Sequence, residues 1–433
     1  MKIYVHTHGC RLNAAESRTI VEQLEAKGYT IVPELDLSVD VAIVNTCAVT
    51  ALAESKCRQT LRQIVRQNPR IHLLVTGCLA ENAAESLKAI HPYICVIGNV
   101  EKSKLVEHLE QVEREQQFPY IFRSPLPKSE FRIGCALGPV YEKRYNLKIQ
   151  EGCDFCCSYC IIPRLRGRSR SRAFDDLLQD AAEHVKKGVK EIILTGVNIG
   201  TYSSDGKDLS DVIQALSAIP GLLRIRLSSI ELKTIPQKIF EQMRDPQNKL
   251  VRYLHVPLQS GSDRILRKMR RHYNLEEARI FFEKAAATIP NVGLGTDIIV
   301  GFPGETEEDF QASVDFFEQS PLQYAHVFSY SRRPGTVADL SHDFVMPAGI
   351  NRRSQQLRAL SAQKRRHFLE CYLSKKMDVL FEDREPGGFH GLTENYIKVW
   401  VPDPGHDLTN QLHKVTLTRI SEEGVMAELV DEK

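Results

Sequence analysis

"GCDFCCSYC", residues 152–160, packs four cysteines into nine positions. Cys153, Cys157 and Cys160 stand in the spacing C-x-x-x-C-x-x-C, with Cys156 left between them. Thiolates suit iron–sulfur clusters and zinc. A structural zinc takes four protein ligands, and Cys156 would have to be the fourth. Cys156 and Cys157 are adjacent, which makes shared ligation of one ion awkward. A cubane cluster on three thiolates leaves one iron open for an outside ligand.

The stretch follows a strand-like run, "RYNLKIQ" (144–150), and precedes a helical stretch from about Phe174. Further strand candidates are "KEIILTG", "RIRLSSI", "YLHVPLQ", "GTDIIVG" and "AHVFSY", each followed by a helical stretch. Six βα units predict a partial, open version of the eight-unit barrel, whose sites lie at the carboxyl ends of the strands. The polar helix "NRRSQQLRALSAQKRRHFLECYL" closes this part. "GFPGE" (301–305) lacks the Lys-Ser/Thr of a phosphate loop. "TEEDF" after it reads as a helix start with acidic residues in the first turn.

Upstream, one pattern recurs: an apolar, β-branched run that ends in cysteine. "KIYVHTHGC" ends at Cys10, "DVAIVNTC" at Cys47 and "HLLVTGC" at Cys78, and a fourth run is "ICVIGN". Strands alternating with helices predict a parallel sheet. Loops at the carboxyl ends of such strands gather on one edge. Cys10, Cys47 and Cys78 should therefore converge into a second set of three. Cys57, Cys95, Cys135 and Cys371 have no such placement and read as core or bystander residues. Downstream, "KMDVLFE", "YIKVWVP", "HKVTLTRI" and "VMAELV" predict a small antiparallel barrel of the oligonucleotide-binding kind. The fold class is thus α/β. An N-terminal parallel-sheet domain (1–112) and a linker (113–140) precede a partial (βα)6 barrel (141–372) and a small β-barrel (373–433).

Composition agrees with a globular protein: 433 residues, 42% hydrophobic, 26% charged, formal net charge +2. The N-terminus carries no signal-peptide pattern, and no apolar run is long enough to span a bilayer. A cytoplasmic location follows as the expectation. Eleven cysteines there point to metal or catalysis before disulfides. Basic residues cluster beside the cysteine loop. "RLRGRSRSR" alternates Arg164, Arg166, Arg168, Arg170 and Arg172, which would share one face of an extended segment. "RKMRRH" adds Arg270 and Arg271. In the last barrel, Tyr396, Lys398 and Trp400 share a face by period two. Arginine binds phosphate, and aromatic stacking beside a basic residue is how small barrels hold unpaired RNA.

Taken together, "THGCRLN", "NTCAVT", "TGCLAE", "LKIQEGCDFCCSYCIIPRLRGRSRSR", "ILTGVNIG", "LSSIE", "HVPLQSGSD", "RKMRRHY" and "DIIVGFPGETEEDF" make the chain resemble the radical S-adenosylmethionine methylthiotransferases over nearly its whole length. The resemblance implies two [4Fe–4S] clusters, one on Cys153, Cys157 and Cys160 and an auxiliary one on Cys10, Cys47 and Cys78. It also implies an RNA-binding TRAM barrel at the C-terminus. S-adenosylmethionine would be held near Tyr159, Thr195, Gly196, Ser229 and Glu231. The implied substrate is tRNA, at the anticodon loop. The branch it most resembles adds a methylthio group to C2 of N6-threonylcarbamoyladenosine. Isopentenyladenosine in tRNA and a ribosomal protein side chain are the alternatives. C2 of adenine bears a strong C–H bond and no acidic proton, so the hard chemistry falls to the cofactor. An electron donor such as flavodoxin or ferredoxin is implied; DNA and membranes are not.

Overall fold

In a computed structural model, the structure describes residues 1–115, 118–127, 129–133 and 143–430. Cys135 and the end of the expected linker, 134–140, lie outside the described residues.

The N-terminal sheet is wholly parallel. Its strand order in space is Thr30–Val32, Lys2–Thr7, Val41–Thr46, His72–Gly77, Ile94–Ile97 and Tyr120–Phe122. Every residue of Val41–Thr46 is buried, as expected where helices cover both faces. The first and last of these strands were not anticipated. Each is three residues long, too short to show a period. Tyr120–Phe122 falls in the segment read as linker and completes the sheet instead.

The central part carries parallel strands Arg144–Lys148, Glu191–Thr195, Arg224–Leu227, Tyr253–His255, Gly293–Val300 and Tyr324–Ser329. They form two three-stranded sheets joined by a parallel bridge from Ile225 to Leu250, so the six follow one another in sequence order. One contiguous apolar core lies beneath them. Both open edges are covered. Helix Arg11–Ala26 of the N-terminal unit packs on the first strand, with the Arg18 guanidinium 3.6 Å from the Tyr145 ring centre. Helix Pro347–Glu370 packs on the last, where Ser361 Oγ bonds both the N–H and the carbonyl of Ala325 at 2.9 and 3.0 Å. Helix Glu307–Gln319 starts with a capping box, Thr306 with Asp309, and has acidic residues in its first turn as expected.

A closed five-stranded barrel ends the chain: Lys376–Glu385, Gly388–Thr393, Lys398–Pro402, Val425–Leu429 and Leu412–Ile420. Gly388–Thr393 was missed in sequence. Pairing is antiparallel except between Lys398–Pro402 and Val425–Leu429. Two arginines from the third strand of the central barrel dock it. Arg224 donates to the carbonyls of Leu392 and Asp378 at 2.6 and 2.8 Å. Arg226 donates to that of Thr393 at 3.3 Å while paired with Glu191 at 3.0 Å. Among the described residues, no helix is long and apolar enough to cross a membrane.

Candidate active site

The cysteine loop leaves the first central strand through Gly152. Its φ is +73°, and an added Cβ would lie 2.0 Å from the Arg168 carbonyl oxygen, so only glycine fits. Cys153 N–H then donates to the Gly167 carbonyl at 3.1 Å, and Cys160 N–H to that of Cys157 at 3.0 Å. Ser158 pins the loop to helix Asp263–Lys268: its N–H donates to the Met269 carbonyl at 3.0 Å and its Oγ to the Lys268 carbonyl at 2.7 Å. Burial pushes the Cys153 thiol up to about 11, with Cys157 in its field, and that of Cys160 up to about 12, with Cys157 and Cys153 in its field. Arg271 Nη1 donates to Cys157 Sγ at 3.5 Å and the same side chain is ion-paired with Glu231. Cys156 is exposed, with its thiol toward the Asp154 carbonyl at 3.8 Å. Tyr159 packs with Ile265, Met269 and Phe302, so its side chain braces the loop.

The second set sits at three consecutive strand ends. Cys10 precedes helix Arg11–Ala26, Cys47 follows Thr46, and Cys78 opens helix Cys78–Leu87. Gly77 makes the last turn possible: φ is +95°, and a Cβ would meet the Thr46 carbonyl oxygen at 2.4 Å. Burial pushes Cys47 up to about 11, and both Cys78 and Cys10 lie in its field. The three therefore converge. Cys57 is a core residue: its sulfur lies 3.3 Å from the Cys47 amide nitrogen and 3.5 Å from the Cys47 carbonyl, bracing that turn.

A buried ion network joins the two sets. Glu16, one turn into the helix after Cys10, accepts from Arg166 at 2.8 Å, Lys148 at 2.8 Å and Lys102 at 2.5 Å. Arg166 also reaches Glu151 at 2.9 Å and the Asn13 side chain at 2.8 Å. This corrects the reading of the arginine run. Residues 162–166 are helical and Gly167, at φ +78°, reverses the chain, so the five arginines do not share an extended face. Arg166 and Arg172 are each 1% exposed and Arg170 is 9% exposed. Arg170 pairs with Glu151, and Arg172 with Asp176 and Asp180. Their charges are spent inside the protein. Arg164 and Arg168 stay exposed, as does Arg270, whereas Arg271 is turned inward.

Between the units lies a cavity of about 860 Å³. Gly9, Cys10 and Arg11 contribute one wall. Thr195, Gly196, Ser228 and Ser229, at the ends of the second and third central strands, contribute another. Tyr253, His255, Asp297, Tyr324 and His326 come from the later strands, Arg358 and Arg365 from helix Pro347–Glu370, and Tyr396 from the C-terminal barrel. Tyr396 thus leaves the face it was expected to share with Lys398 and Trp400. At φ +69° it turns inward and stacks on Tyr253, ring centres 4.5 Å apart. Lys398 is held by Glu423 at 2.9 Å, and Trp400 is half-buried. Glu231, ion-paired with Arg271, is not among the residues that line the cavity. At the carboxyl edge of the strands, Asn198 Nδ2, Ser228 Oγ and Glu231 Oε1 are buried with no hydrogen-bond partner among the described residues. Unsatisfied buried polar atoms mark a place where a polar ligand belongs.

Residues 147–317 match the Radical SAM superfamily, and residues 2–117 match the Uncharacterized protein family UPF0004. The chain is 34% identical to the threonylcarbamoyladenosine tRNA methylthiotransferase MtaB of Bacillus subtilis, over 96% of this chain and 93% of that protein. It is 33% identical to the protein of the same name from Thermotoga maritima, over 98% and 96%. The chain belongs to the radical SAM methylthiotransferase family. A tRNA-2-methylthio-N(6)-dimethylallyladenosine synthase of Cereibacter sphaeroides is also 33% identical, over 93% and 92%. In fold, the chain is similar to the radical S-adenosylmethionine methyltransferase TsrM of Kitasatospora setae, with a TM-score of 0.55 and 14% identity over 78% of this chain and 73% of that one.

Radical SAM methylthiotransferases use S-adenosylmethionine and [4Fe–4S] clusters, and the donor chemistry here fits them. Each converging set offers three soft sulfur donors. The orphaned polar atoms at the strand ends suit the amino, carboxylate and ribose groups of S-adenosylmethionine. Gly196 packs tightly against Gln150 at that edge: a Cβ would lie 2.9 Å from the Gln150 carbonyl oxygen. The cysteine sets were legible from spacing. Tyr253, Tyr324, Arg358, Arg365 and the inward turn of Tyr396 were not, because tertiary docking alone brings them together.

Proposed function

We propose that this methylthiotransferase acts on tRNA, adding a methylthio group to C2 of N6-threonylcarbamoyladenosine beside the anticodon. The observation that carries the reading is the cavity, which sets Cys10 of one sulfur set across from the strand ends that follow the other set. Bound S-adenosylmethionine and two [4Fe–4S] clusters would supply radical activation of C2 and the sulfur to be inserted. Cys153, Cys157 and Cys160 hold one cluster, and Cys10, Cys47 and Cys78 the other. Thr195, Gly196, Ser229 and Glu231 orient S-adenosylmethionine, and Tyr159 supports the loop that faces it. The buried Glu16–Arg166 network fixes the distance between the two cysteine sets, which is what positioning chemistry requires. The stacked pair Tyr253 and Tyr396 offers an aromatic wall to an unstacked base.

The tRNA reaches the cavity across surfaces that carry Arg164, Arg168, Arg270 and Lys398, with the C-terminal barrel as a TRAM module. We also propose an N-terminal unit that runs on through the strand Tyr120–Phe122, with further units at 141–372 and 373–433. The work is cytoplasmic, where tRNA and a flavodoxin- or ferredoxin-type donor are at hand. Mass spectrometry of tRNA nucleosides from a deletion strain tests the reading. Loss of methylthio-threonylcarbamoyladenosine, with its unmethylthiolated precursor accumulating, is the expected result. Loss of the isopentenyl product alone would assign the other branch.

A further inference from the structure

The arginines of this protein are largely spent on carboxylates. Arg166, Arg172, Arg226, Arg271 and Arg353 each hold one at close range. Three guanidinium groups in the cavity wall depart from that pattern: Arg11, Arg358 and Arg365. Among the described residues they meet neutral acceptors. Arg11 donates to the Tyr396 hydroxyl at 2.9 Å, Arg358 to the Val327 carbonyl at 3.2 Å and Arg365 to the Tyr396 carbonyl at 2.8 Å. Arg365 lies 5.6 Å from the Tyr324 ring centre, and burial lowers its pKa. Arg365, largely withdrawn from water and without a counter-charge, is costly to hold until an anion joins it, whereas Arg358 stays exposed on the same wall.

Arg358 and Arg365 stand seven residues apart on one helix, hence on one face, two turns from each other. Ser361 and Ala362 between them also line the cavity and are small. Among the described residues, Asp297 is the one acidic residue in the lining, and His255 Nε2 lies 3.3 Å from its carboxylate. The wall between the two arginines is therefore a positive slot in a chamber that is otherwise aromatic and hydroxylated. The chamber has Cys10 in its wall, so a base must enter it, and the anion nearest a base in the proposed substrate is the threonyl carboxylate on N6.

We propose that Arg358 and Arg365 form the subsite for that carboxylate, so that these two residues select a threonylcarbamoyl over an apolar N6 substituent. The inference rests on the substrate reading above. The planar guanidinium fork matches a carboxylate, and it would match a backbone phosphate equally, so the test separates the two.

Two anticodon hairpins are compared for binding to the full-length reconstituted enzyme, one with threonylcarbamoyladenosine and one with adenosine at the same position. The wild-type protein should bind the modified hairpin more tightly. R358Q and R365Q should each remove that preference, a loss of roughly tenfold or more, while the adenosine hairpin binds as before. R365K should restore part of it. R352Q, on the same helix but exposed and held by Glu307, should keep the full preference. Arg358 is exposed, so R358Q decides the matter even if R365Q misfolds. Variants that keep the wild-type preference would overturn the inference. So would an equal loss for both hairpins, which would make the anion a phosphate. The substrate reading fails separately, if wild-type enzyme methylthiolates isopentenyladenosine tRNA and not the threonylcarbamoyl form.

Discussion

Arg271 places its guanidinium 3.5 Å from the sulfur of Cys157 while ion-paired with Glu231. Burial alone would lower the arginine's pKa, yet the Tyr273, Tyr159 and Glu231 groups around it hold the guanidinium firmly charged. A fixed cation donating to the Cys157 sulfur would favour the reduced, more negative state of a cluster held there. R271Q should keep its iron and show a midpoint potential lower by an amount on the order of tens of millivolts. An electrochemical titration followed by electron paramagnetic resonance reads this directly; an unchanged potential would assign Arg271 to packing alone.

Changing Cys153, Cys157 and Cys160 together to Ala should leave roughly half the iron of the reconstituted protein, because the second sulfur set stands on a separate sheet. C156A should keep all of it, since that thiol faces the Asp154 carbonyl. Iron and sulfide analysis checks both. A triple variant with no iron would mean that the sets load together.

The pair formed by His184 with Asp180 and Glu22 links the first central helix to helix Arg11–Ala26, at 2.9 and 3.2 Å. Burial would lower the histidine's pKa, but these carboxylates raise it from 6.5 to about 9. A raised folded-state value means that the stabilisation is complete below pH 6.5 and is lost as pH rises through about 9. Melting temperature should therefore fall across that window, and H184Q should flatten the fall. An identical pH profile in both proteins would count against the linkage.

Burial would raise the Glu16 carboxyl, but Arg166, Lys102 and Lys148 hold it well below the usual carboxylate range. E16Q leaves those three cations with less counter-charge in a buried site. It should cost about 3–5 kcal/mol by chemical denaturation. R166Q should behave alike and leave the salt dependence of tRNA affinity unchanged, because Arg166 faces carboxylates and not solvent. A shallower salt slope in R166Q would return this residue to the RNA surface.

Removing residues 376–433 takes away the carbonyl acceptors of Arg224 and one wall of the cavity, Tyr396. From sequence, the last barrel reads as an RNA-binding module. Its docking predicts more: a lower melting temperature, together with loss of product even at saturating tRNA. Full turnover by the truncated chain at high tRNA would restore the simpler view.

Sequence was most informative where a local period carried the signal. Parallel strands that end in Cys10, Cys47 and Cys78 can be seen because β-branched runs and terminal thiols recur in register with the fold. The cysteine loop and the six central strands were legible for the same reason. The arginine run misled because alternation in sequence means one face only if the backbone is extended, and Gly167 with the turn of helix before it breaks that condition. Thr30–Val32 and Tyr120–Phe122 are edge strands of three residues, held by neighbours rather than by any pattern of their own. Arg358, Arg365 and Tyr253 meet only after docking, and no window of sequence contains them together.

Tyr396 and Cys10 are far apart in sequence, with both cysteine sets preceding Tyr396, and both line one chamber. Synthesis proceeds from the N-terminus and units fold as they emerge. A nascent chain can thus complete both sulfur sets long before the last wall of the chamber exists. The order of translation therefore makes the cysteine sets first and the Tyr396 wall of the chamber later.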